Sequence, residues 1–198
     1  MIVTIHQPEH FPYEGFFQKM KAADLFVVLD NVKYKKNDYQ NRNRFVNTSG
    51  TDEWFGVSVP KKSTSLNINE VVVLDENLNQ WRKKVINKIK YNFGIDMSEI
   101  YSFSKLIDIN MSSIIWCRKK LQINTPIVFA SDLNVSGKKS SLLLDICKKT
   151  NAKTYMSGPS GVNYLDREIF KKNNINVEFF NPQVKNYYSM LYNIQSKT

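Results

Sequence analysis

The sequence predicts an α/β fold with a mostly parallel sheet, and three segments near the N-terminus carry this prediction. Residues 1–7 (MIVTIHQ) form a short apolar run that is typical of a strand. Residues 15–24 repeat apolar side chains at helical spacing, and residues 25–30 (LFVVLD) form an unbroken apolar run. An unbroken run indicates a strand covered on both faces, as in parallel sheets. We therefore predict that the chain opens with a βαβ unit.

The rest of the chain alternates strands and helices for most of its length. Residues 45–60 predict a hairpin with its turn at TSGTD, and residues 65–75 predict a further strand. Apolar stripes predict two helices, which give a helical segment over about residues 77–122. Later strands are predicted at 125–131, 153–157 and 176–181, with helices at 140–152 and 164–174. The chain has no internal repeat and no long linker, so we expect residues 1–198 to form a single domain.

Composition limits the class of protein. The chain is 42% hydrophobic and 13% aromatic, which is enough for a sizeable core. No stretch approaches the roughly 18 apolar residues that a membrane span needs, and the N-terminus lacks the basic region of a signal peptide. We therefore expect a cytoplasmic protein without a membrane span. Cys117 and Cys147 form no C-x-x-C pair, and we predict that both thiols are buried in a reducing compartment.

The net charge of +10, from 28 basic and 18 acidic residues, favours an anionic partner. Nucleotides, phosphorylated sugars, RNA and acidic membranes all qualify. The excess is mostly lysine, and asparagine is also abundant, a composition that an AT-rich genome produces by codon bias. The basic charge therefore has two explanations, a binding surface and compositional drift.

Residues 6–10 (HQPEH) match the H-x-x-E-H string of the inverted zinc proteases. That site needs both histidines on one face of a helix. Here Pro8 lies between them, strand-like residues precede them, and the sequence offers no third histidine. We interpret the match as accidental and predict no metal site.

The opening segment resembles the start of the WbqC-like family, which is often found in bacterial surface-polysaccharide gene clusters. The matching residues are His6, Gln7, Pro8, Pro12, Tyr13, Gly15, Phe16, Phe17, Lys19, Ala23, Asp24, Asp30, Asn41 and Arg42. Residues 137–179 resemble the family's C-terminal block through Tyr155, Ser157, Gly158, Pro159, Tyr164, Leu165 and Phe170. The family usually has an aromatic residue at the position of His10, so we do not expect His10 to be essential. Family members often continue past the end of this chain, so the resemblance implies a C-terminal wall of the site that differs or is partly missing.

The resemblance implies work on nucleotide-linked sugars. The implied reaction is a transfer that acylates or aminoacylates the amine of an amino sugar, in the biosynthesis of O-antigen or capsule. The implied partner is the nucleotide-linked sugar itself. The candidate acyl donors are acyl-CoA and aminoacyl-tRNA, and no bound cofactor is identified. The oligomeric state is not predicted.

His6 and Asp30 are the candidate catalytic residues, because each ends a predicted parallel strand. Ligands of such sheets bind beyond the carboxyl ends of the strands. A neutral imidazole at His6 could take a proton from an attacking amine. Asp30 could orient His6 or bind a sugar hydroxyl or the amine. The alternatives are that His6 only holds its loop and that Asp30 only forms a cap or turn.

The remaining candidates are assigned to substrate binding. Amide side chains suit sugar or base edges, arginine pairs bidentately with phosphate, and small residues allow close backbone approach to an anion. A solvated basic loop is the alternative for the Asn–Arg cluster, and a core position is the alternative for Tyr164. The candidates are Gln7, Tyr13, Asn41, Arg42, Asn43, Arg44, Ser157, Gly158 and Tyr164.

Two other functions remain open. The first is a non-catalytic nucleic-acid or polyanion-binding protein, favoured by the charge and by the basic–aromatic stretch around Tyr34 and Tyr39. Nucleic-acid binding and the transferase function are compatible if the acyl donor is an aminoacylated tRNA. The second is a nucleotidyltransferase-like enzyme, favoured by the strand–His–helix order, although the H-x-G-H pair of that superfamily does not occur here.

Overall fold

A computed structural model describes residues 1–74 and 80–195. The chain forms two compact units, each assembled from separate segments. The first unit comprises Met1–Gln7, Gly15–Asp30 and Ile123–Val184, and the second comprises Pro8–Glu14, Asn31–Gln122 and Lys185–Thr198. Whether residues 1–198 act as one domain stays a prediction. Across the described ranges, no helix has both the length and the apolar character needed to cross a membrane.

The secondary structure of the described residues alternates strands and helices. The strands are β1 (Ile2–His6), β2 (Leu25–Val28), β3 (Arg42–Val46), β4 (Asp52–Gly56), β5 (Ile127–Phe129), β6 (Thr154–Ser157) and β7 (Asn176–Phe179). The α-helices are α1 (Glu14–Lys21), α2 (Trp81–Phe93), α3 (Leu106–Lys120), α4 (Ser140–Lys149), α5 (Arg167–Lys172) and α6 (Met190–Gln195).

The first unit is built on a five-stranded sheet in the order β5-β2-β1-β6-β7. Every pairing in it is parallel. The chain first adds β2 and β5 on one side of β1, then crosses to the other side for β6 and β7. This reversal makes a switch point between β1 and β6, which is where doubly wound sheets form their ligand crevice. The α/β fold and the opening βαβ unit are therefore confirmed.

Burial explains why these segments became sheet and helix. The middle residues of β1 and the last three residues of β2 are buried, as the unbroken apolar runs require. Helix α1 buries Phe16, Phe17 and Met20 on one face. Thr4, the polar residue inside β1, is satisfied because its hydroxyl donates to the carbonyl of Met156 in β6 at 2.8 Å.

The second unit contains the antiparallel hairpin β3–β4, so the hairpin predicted for residues 45–60 is confirmed. Its first strand begins three residues earlier than predicted, at Arg42. Its turn is organised by Asn47, whose Oδ1 accepts from the backbone N–H groups of Ser49 and Thr51, both at 3.0 Å. Gly50 adopts a φ of +80°, a left-handed conformation that glycine adopts without steric cost.

Helices α2 and α3 lie within the predicted helical segment and are joined by residues 94–105, which include a 3-10 turn at Ile100–Ser102. Residues 77–79 of that segment lie outside the described residues. Helix α2 buries the predicted stripe of Trp81, Val85 and Ile89 and ends at Gly94 with a φ of +68°. Cys117 is buried on α3, and Cys147 is buried on α4 in the first unit, as predicted.

One sequence prediction is wrong, and one helix was not predicted. Residues 65–74 of the predicted strand 65–75 form a short 3-10 turn at Ile68–Glu70 and two isolated bridges, at Asn67 and Val72, while residue 75 lies outside the described residues. Asn67 and Glu70 form a reciprocal capping box, which stabilises a helical turn where the apolar run suggests a strand. Helix α6 was not predicted, because the sequence analysis assigned no element after residue 181.

Candidate functional site

The first unit presents His6 at the carboxyl end of β1, beside the switch point. Its Nδ1 lies 2.9 Å from the carbonyl oxygen of Gln7. A carbonyl only accepts hydrogen bonds, so Nδ1 carries the proton and Nε2 carries the lone pair. The ring of Phe16 packs edge-on against the imidazole at 4.8 Å and restricts its orientation. His6 therefore offers one defined basic nitrogen.

His6 is neutral at physiological pH. Burial is the main cause that lowers the pKa of His6 to about 3, and the nearby positive charge of Lys19 lowers it further. The hydrogen bond to the Gln7 carbonyl acts in the opposite direction and raises the pKa. A neutral imidazole is the form that accepts a proton.

Lys19 is a buried cation in the same region, and its side chain is only 5% exposed. It lies on α1 one turn from Phe16, on the face that the helix buries. The sequence offered a signal for it, because Lys19 occupies a core position in the apolar repeat of residues 15–24. From the sequence, Lys19 is predicted only as part of the family pattern, without a role of its own.

The loop after β6 brings Ser157 and Gly158 to the same edge of the sheet. Ser157 ends β6 and is buried, and Gly158 follows it in extended backbone. A Cβ added to Gly158 would meet one neighbour within 4 Å, the Nζ of Lys19 at 3.9 Å. Gly161, by contrast, packs so closely on Ser157 that any Cβ there would collide with the Ser157 hydroxyl. The loop is thus tight at Gly161 and open at Gly158.

Asp30 follows β2 and is 2% exposed. Its Oδ1 accepts from the backbone N–H of Ser131 at 3.0 Å, and its Oδ2 accepts from the Ser131 hydroxyl at 2.7 Å. Ser131 lies just after β5, so this carboxylate ties together the ends of two adjacent strands. Ser131 was not among the candidate residues predicted from the sequence. The catalytic role of Asp30 stays a prediction beside this anchoring role.

Gln7 and Tyr164 complete the candidates in the first unit. Gln7 is half-buried and supplies the carbonyl that fixes His6. Tyr164 is 61% exposed, so the alternative of a core tyrosine is wrong, and its ring is accessible for stacking on a ligand. Their substrate contacts stay predictions.

In the second unit, Asn43 holds the segment that follows the His-Gln-Pro motif. Its side-chain amide donates to the carbonyls of Phe11 at 2.8 Å and His10 at 3.3 Å. Asn43 is completely buried on the inner face of the hairpin. These contacts give the residue a structural task, and its predicted substrate contact stays a prediction.

Arg42 and Arg44 lie on the other, solvent-facing side of β3. The guanidinium of Arg42 stacks on Trp54 at 4.4 Å from the ring centroid. Arg44 forms an ion pair with Asp52 at 2.8 Å, and the hydroxyl of Tyr188 donates to the same carboxylate. Three of the four cluster residues, Arg42 to Arg44, therefore lie in a strand and not in the loop that was the alternative, whereas Asn41 precedes the strand in a turn.

Asn41 and Tyr13 are the remaining candidates of the second unit. Asn41 donates its amide to the carbonyl of Val57 at 3.0 Å. Tyr13 is half-buried and packs on the ring of Tyr187 at 5.6 Å. Burial, with smaller effects from Glu9 and Tyr187, raises the pKa of Tyr13 to about 12, so the phenol keeps its proton. Their binding roles stay predictions.

The zinc-protease string does not form a helix. Residues 7–9 have no regular structure, and His10 is fully buried with its Nε2 3.0 Å from the Tyr101 hydroxyl. Burial lowers the pKa of His10 to about 3, against a smaller raising effect of Asn110. Within residues 1–74 and 80–195, no three His, Cys, Asp or Glu side chains cluster in a way that could hold a metal ion.

Comparison with known proteins gives one family and one relative. The model of the WbqC-like protein family matches residues 7–194. The chain is also similar to the uncharacterized protein Rv1507c of Mycobacterium tuberculosis, with 26% identity over 192 residues, covering 90% of this chain and 81% of that protein. No solved structure matches.

Proposed function

Because the chain belongs to the WbqC-like protein family, we propose that it is a transferase in the biosynthesis of bacterial surface polysaccharide. Its proposed substrate is a nucleotide-linked amino sugar, and its proposed reaction is acylation or aminoacylation of the sugar amine. The observation that supports this proposal best is His6, a neutral imidazole with a defined basic nitrogen at the switch point of a parallel sheet.

The proposed step is a direct acyl transfer. The amine nitrogen forms a bond to the acyl carbon, and the bond from that carbon to the donor's leaving group breaks. Nε2 of His6 removes the proton from the amine and passes it to the leaving group. The products are the N-acylated sugar and the protonated carrier, such as free CoA or deacylated tRNA, so no oxidant or further reactant is needed.

The other residues of the first unit have supporting roles in this proposal. Asp30 keeps the ends of β2 and β5 together through Ser131 and so maintains the edge on which His6 lies. The open side of Gly158 leaves room for a ligand to reach the backbone, whose N–H groups can stabilise an oxyanion. Tyr164 offers an exposed ring for stacking on a base or sugar.

The test is a product assay by mass spectrometry. Purified protein is incubated with UDP-, dTDP- and GDP-linked amino sugars, each with acyl-CoAs or with aminoacylated tRNA. We expect one combination to gain the mass of the acyl group. The His6→Gln variant should lose this product by about a hundredfold or more while keeping its melting temperature. His10→Phe is the matched control, and it should retain activity because His10 is buried in the second unit. Full activity in His6→Gln would refute the assigned base.

A second candidate function is binding of RNA or another polyanion. The observation in its favour is the outer face of the hairpin, where Arg42 stacks on Trp54, an aromatic side chain that is 43% exposed. Basic residues interleaved with exposed aromatic rings are typical of single-strand nucleic-acid surfaces. This function predicts RNA affinity that falls steeply with salt and that weakens in Arg42→Ala. Arg167→Ala, in the first unit, is the control with the same change in charge.

A further inference from the structure

The structure places a buried cation against an open backbone position at the carboxyl edge of the parallel sheet. The cation is Lys19, and the open position is Gly158. We propose that Lys19 and Gly158 form a seat for the phosphoryl oxygens of the substrate. This inference rests on the proposed function, because it identifies what holds the diphosphate of a nucleotide-linked sugar.

The geometry around Gly158 supports this seat. The backbone there has φ −71° and ψ 169°, which any residue adopts, so the conformation does not require glycine. A Cβ would meet only the Lys19 ammonium, at 3.9 Å. The space beside the Gly158 Cα is therefore bounded by a positive charge. An anionic oxygen in that space would contact both the ammonium and the backbone.

The chemistry of the cation also supports the seat. A lysine ammonium is a compact point charge with three donors, and it binds phosphate without the planar geometry that arginine imposes. Its attraction for an anion is stronger in a buried region than at the surface. Lys19 also has an interaction within the protein, and the burial of its side chain limits the positions that its ammonium can take. The charge is therefore confined near Gly158 before a ligand arrives.

The location of the two residues supports the seat as well. Lys19 and Gly158 lie at the switch point between β1 and β6, and open α/β sheets bind nucleotide phosphates in the crevice at this place. His6 ends β1 at the same edge. The seat would therefore hold the phosphates close to the proposed base.

The seat also couples phosphate binding to the pKa of His6, the proposed base. The charge of Lys19 lowers the pKa of His6 in the ligand-free protein. A bound phosphate carries negative charge and offsets that effect. The pKa of His6 then rises towards neutrality, and a stronger base is present when the substrate is bound. A residue that only supported the fold would not produce this coupling.

The test is calorimetric titration with inorganic pyrophosphate and with UDP. We expect Lys19→Met to weaken the affinities for pyrophosphate and for UDP by about 30-fold each, because the substitution removes a buried positive charge that pairs with the phosphates. Lys21→Met is the matched control, since Lys21 is exposed on the same helix, and its affinity should remain within about twofold of the wild type. Gly158→Ala should also weaken binding while leaving the melting temperature unchanged, so it decides the outcome if Lys19→Met does not fold.

A second readout tests the coupling. Titration of the His6 ring by NMR should show a higher pKa with saturating pyrophosphate in the wild type and in Lys21→Met. Equal pyrophosphate affinity in the wild type, Lys19→Met and Gly158→Ala would overturn the proposal, as would malonate binding as tightly as pyrophosphate. Neither titration requires acyl transfer. If no acylated product forms although pyrophosphate binds as expected, the proposed function is wrong and the seat stands. If the product forms but pyrophosphate binding does not depend on Lys19 and Gly158, the seat is wrong and the function stands.

Discussion

At the scale of single residues, the site depends on one tautomer and one charge state of the His6 imidazole. The Gln7 carbonyl determines which nitrogen of His6 is basic, and burial with the Lys19 charge keeps that ring neutral. The position of His6 at a strand end was predictable from the apolar run before it. The hydrogen bond to Gln7 was not, because it depends on the path of the loop after the strand.

Asp30 gives a residue-scale prediction. Replacement by Asn keeps an oxygen for the Ser131 N–H but removes the carboxylate that accepts from the Ser131 hydroxyl. We expect Asp30→Asn to lower the free energy of unfolding by about 1–3 kcal/mol, because charged hydrogen bonds in a buried site are lost. Urea denaturation measures this change. Ser131→Ala should give a loss in the same range, and an unchanged stability in both variants would contradict the anchoring role.

Asn43 gives a second residue-scale prediction. Its amide satisfies two buried carbonyls, so Asn43→Ala leaves them without this donor. We expect a loss of about 1–3 kcal/mol in the free energy of unfolding. Asn87→Ala, at an exposed position in helix α2, is the control and should stay close to the wild type. If Asn43→Ala were as stable as the control, the residue would not be holding this segment.

At the scale of elements, periodicity predicted most of the fold, and one segment shows where it fails. The stripes of α1 and α2 and the apolar runs of β1 and β2 gave the correct type of element. Residues 65–74 did not become a strand, because the capping box of Asn67 and Glu70 favours a turn. Local side-chain hydrogen bonding of this kind can override an apolar run.

The loop after β6 gives the element-scale prediction. Its two glycines look equivalent in the SGPSG string. A Cβ at Gly161 would collide with the Ser157 hydroxyl and crowd the ring of Phe179, whereas a Cβ at Gly158 would meet only the Lys19 Nζ, at an ordinary contact distance of 3.9 Å. We expect Gly161→Ala to lower the free energy of unfolding by about 1–3 kcal/mol through overpacking. Gly158→Ala should leave it unchanged. Thermal unfolding of the two variants checks this difference, and equal melting temperatures would contradict it.

At the scale of the whole molecule, the two histidines make stability depend on pH. Each has a pKa of about 3 in the folded chain against an ordinary value of 6.5. Between these values the unfolded chain binds protons that the folded chain does not bind. The contribution of the two neutral histidines to the free energy of unfolding is therefore fully present above about pH 6.5, and it decreases as the pH falls below that value. For buried His10 the slope approaches roughly 1.4 kcal/mol per pH unit.

The check on this prediction is urea denaturation of the wild type and His10→Phe between about pH 7 and pH 5. Removing one titrating group should make the loss of stability on acidification clearly smaller in the variant than in the wild type. Parallel pH profiles for the two proteins would show that His10 titrates normally in the folded chain.

The candidate site was less predictable than the fold. Strand ends located His6, Asp30 and Ser157, because the carboxyl ends of parallel strands share one edge. The core position of Lys19 was visible in the apolar repeat of its helix, but only the structure shows that its ammonium lies near Gly158. Such contacts join residues far apart in sequence, and no local pattern encodes them.

The central claim is that His6 presents a neutral imidazole whose Nε2 is the base. Long-range ¹H–¹⁵N NMR of the histidine rings tests it most directly, and His6→Gln assigns the signals. The account predicts that the ring of His6 stays neutral between about pH 5 and pH 8, with Nδ1 protonated and Nε2 unprotonated. A His6 ring that titrates near its ordinary pKa of 6.5, or that carries its proton on Nε2, would contradict it.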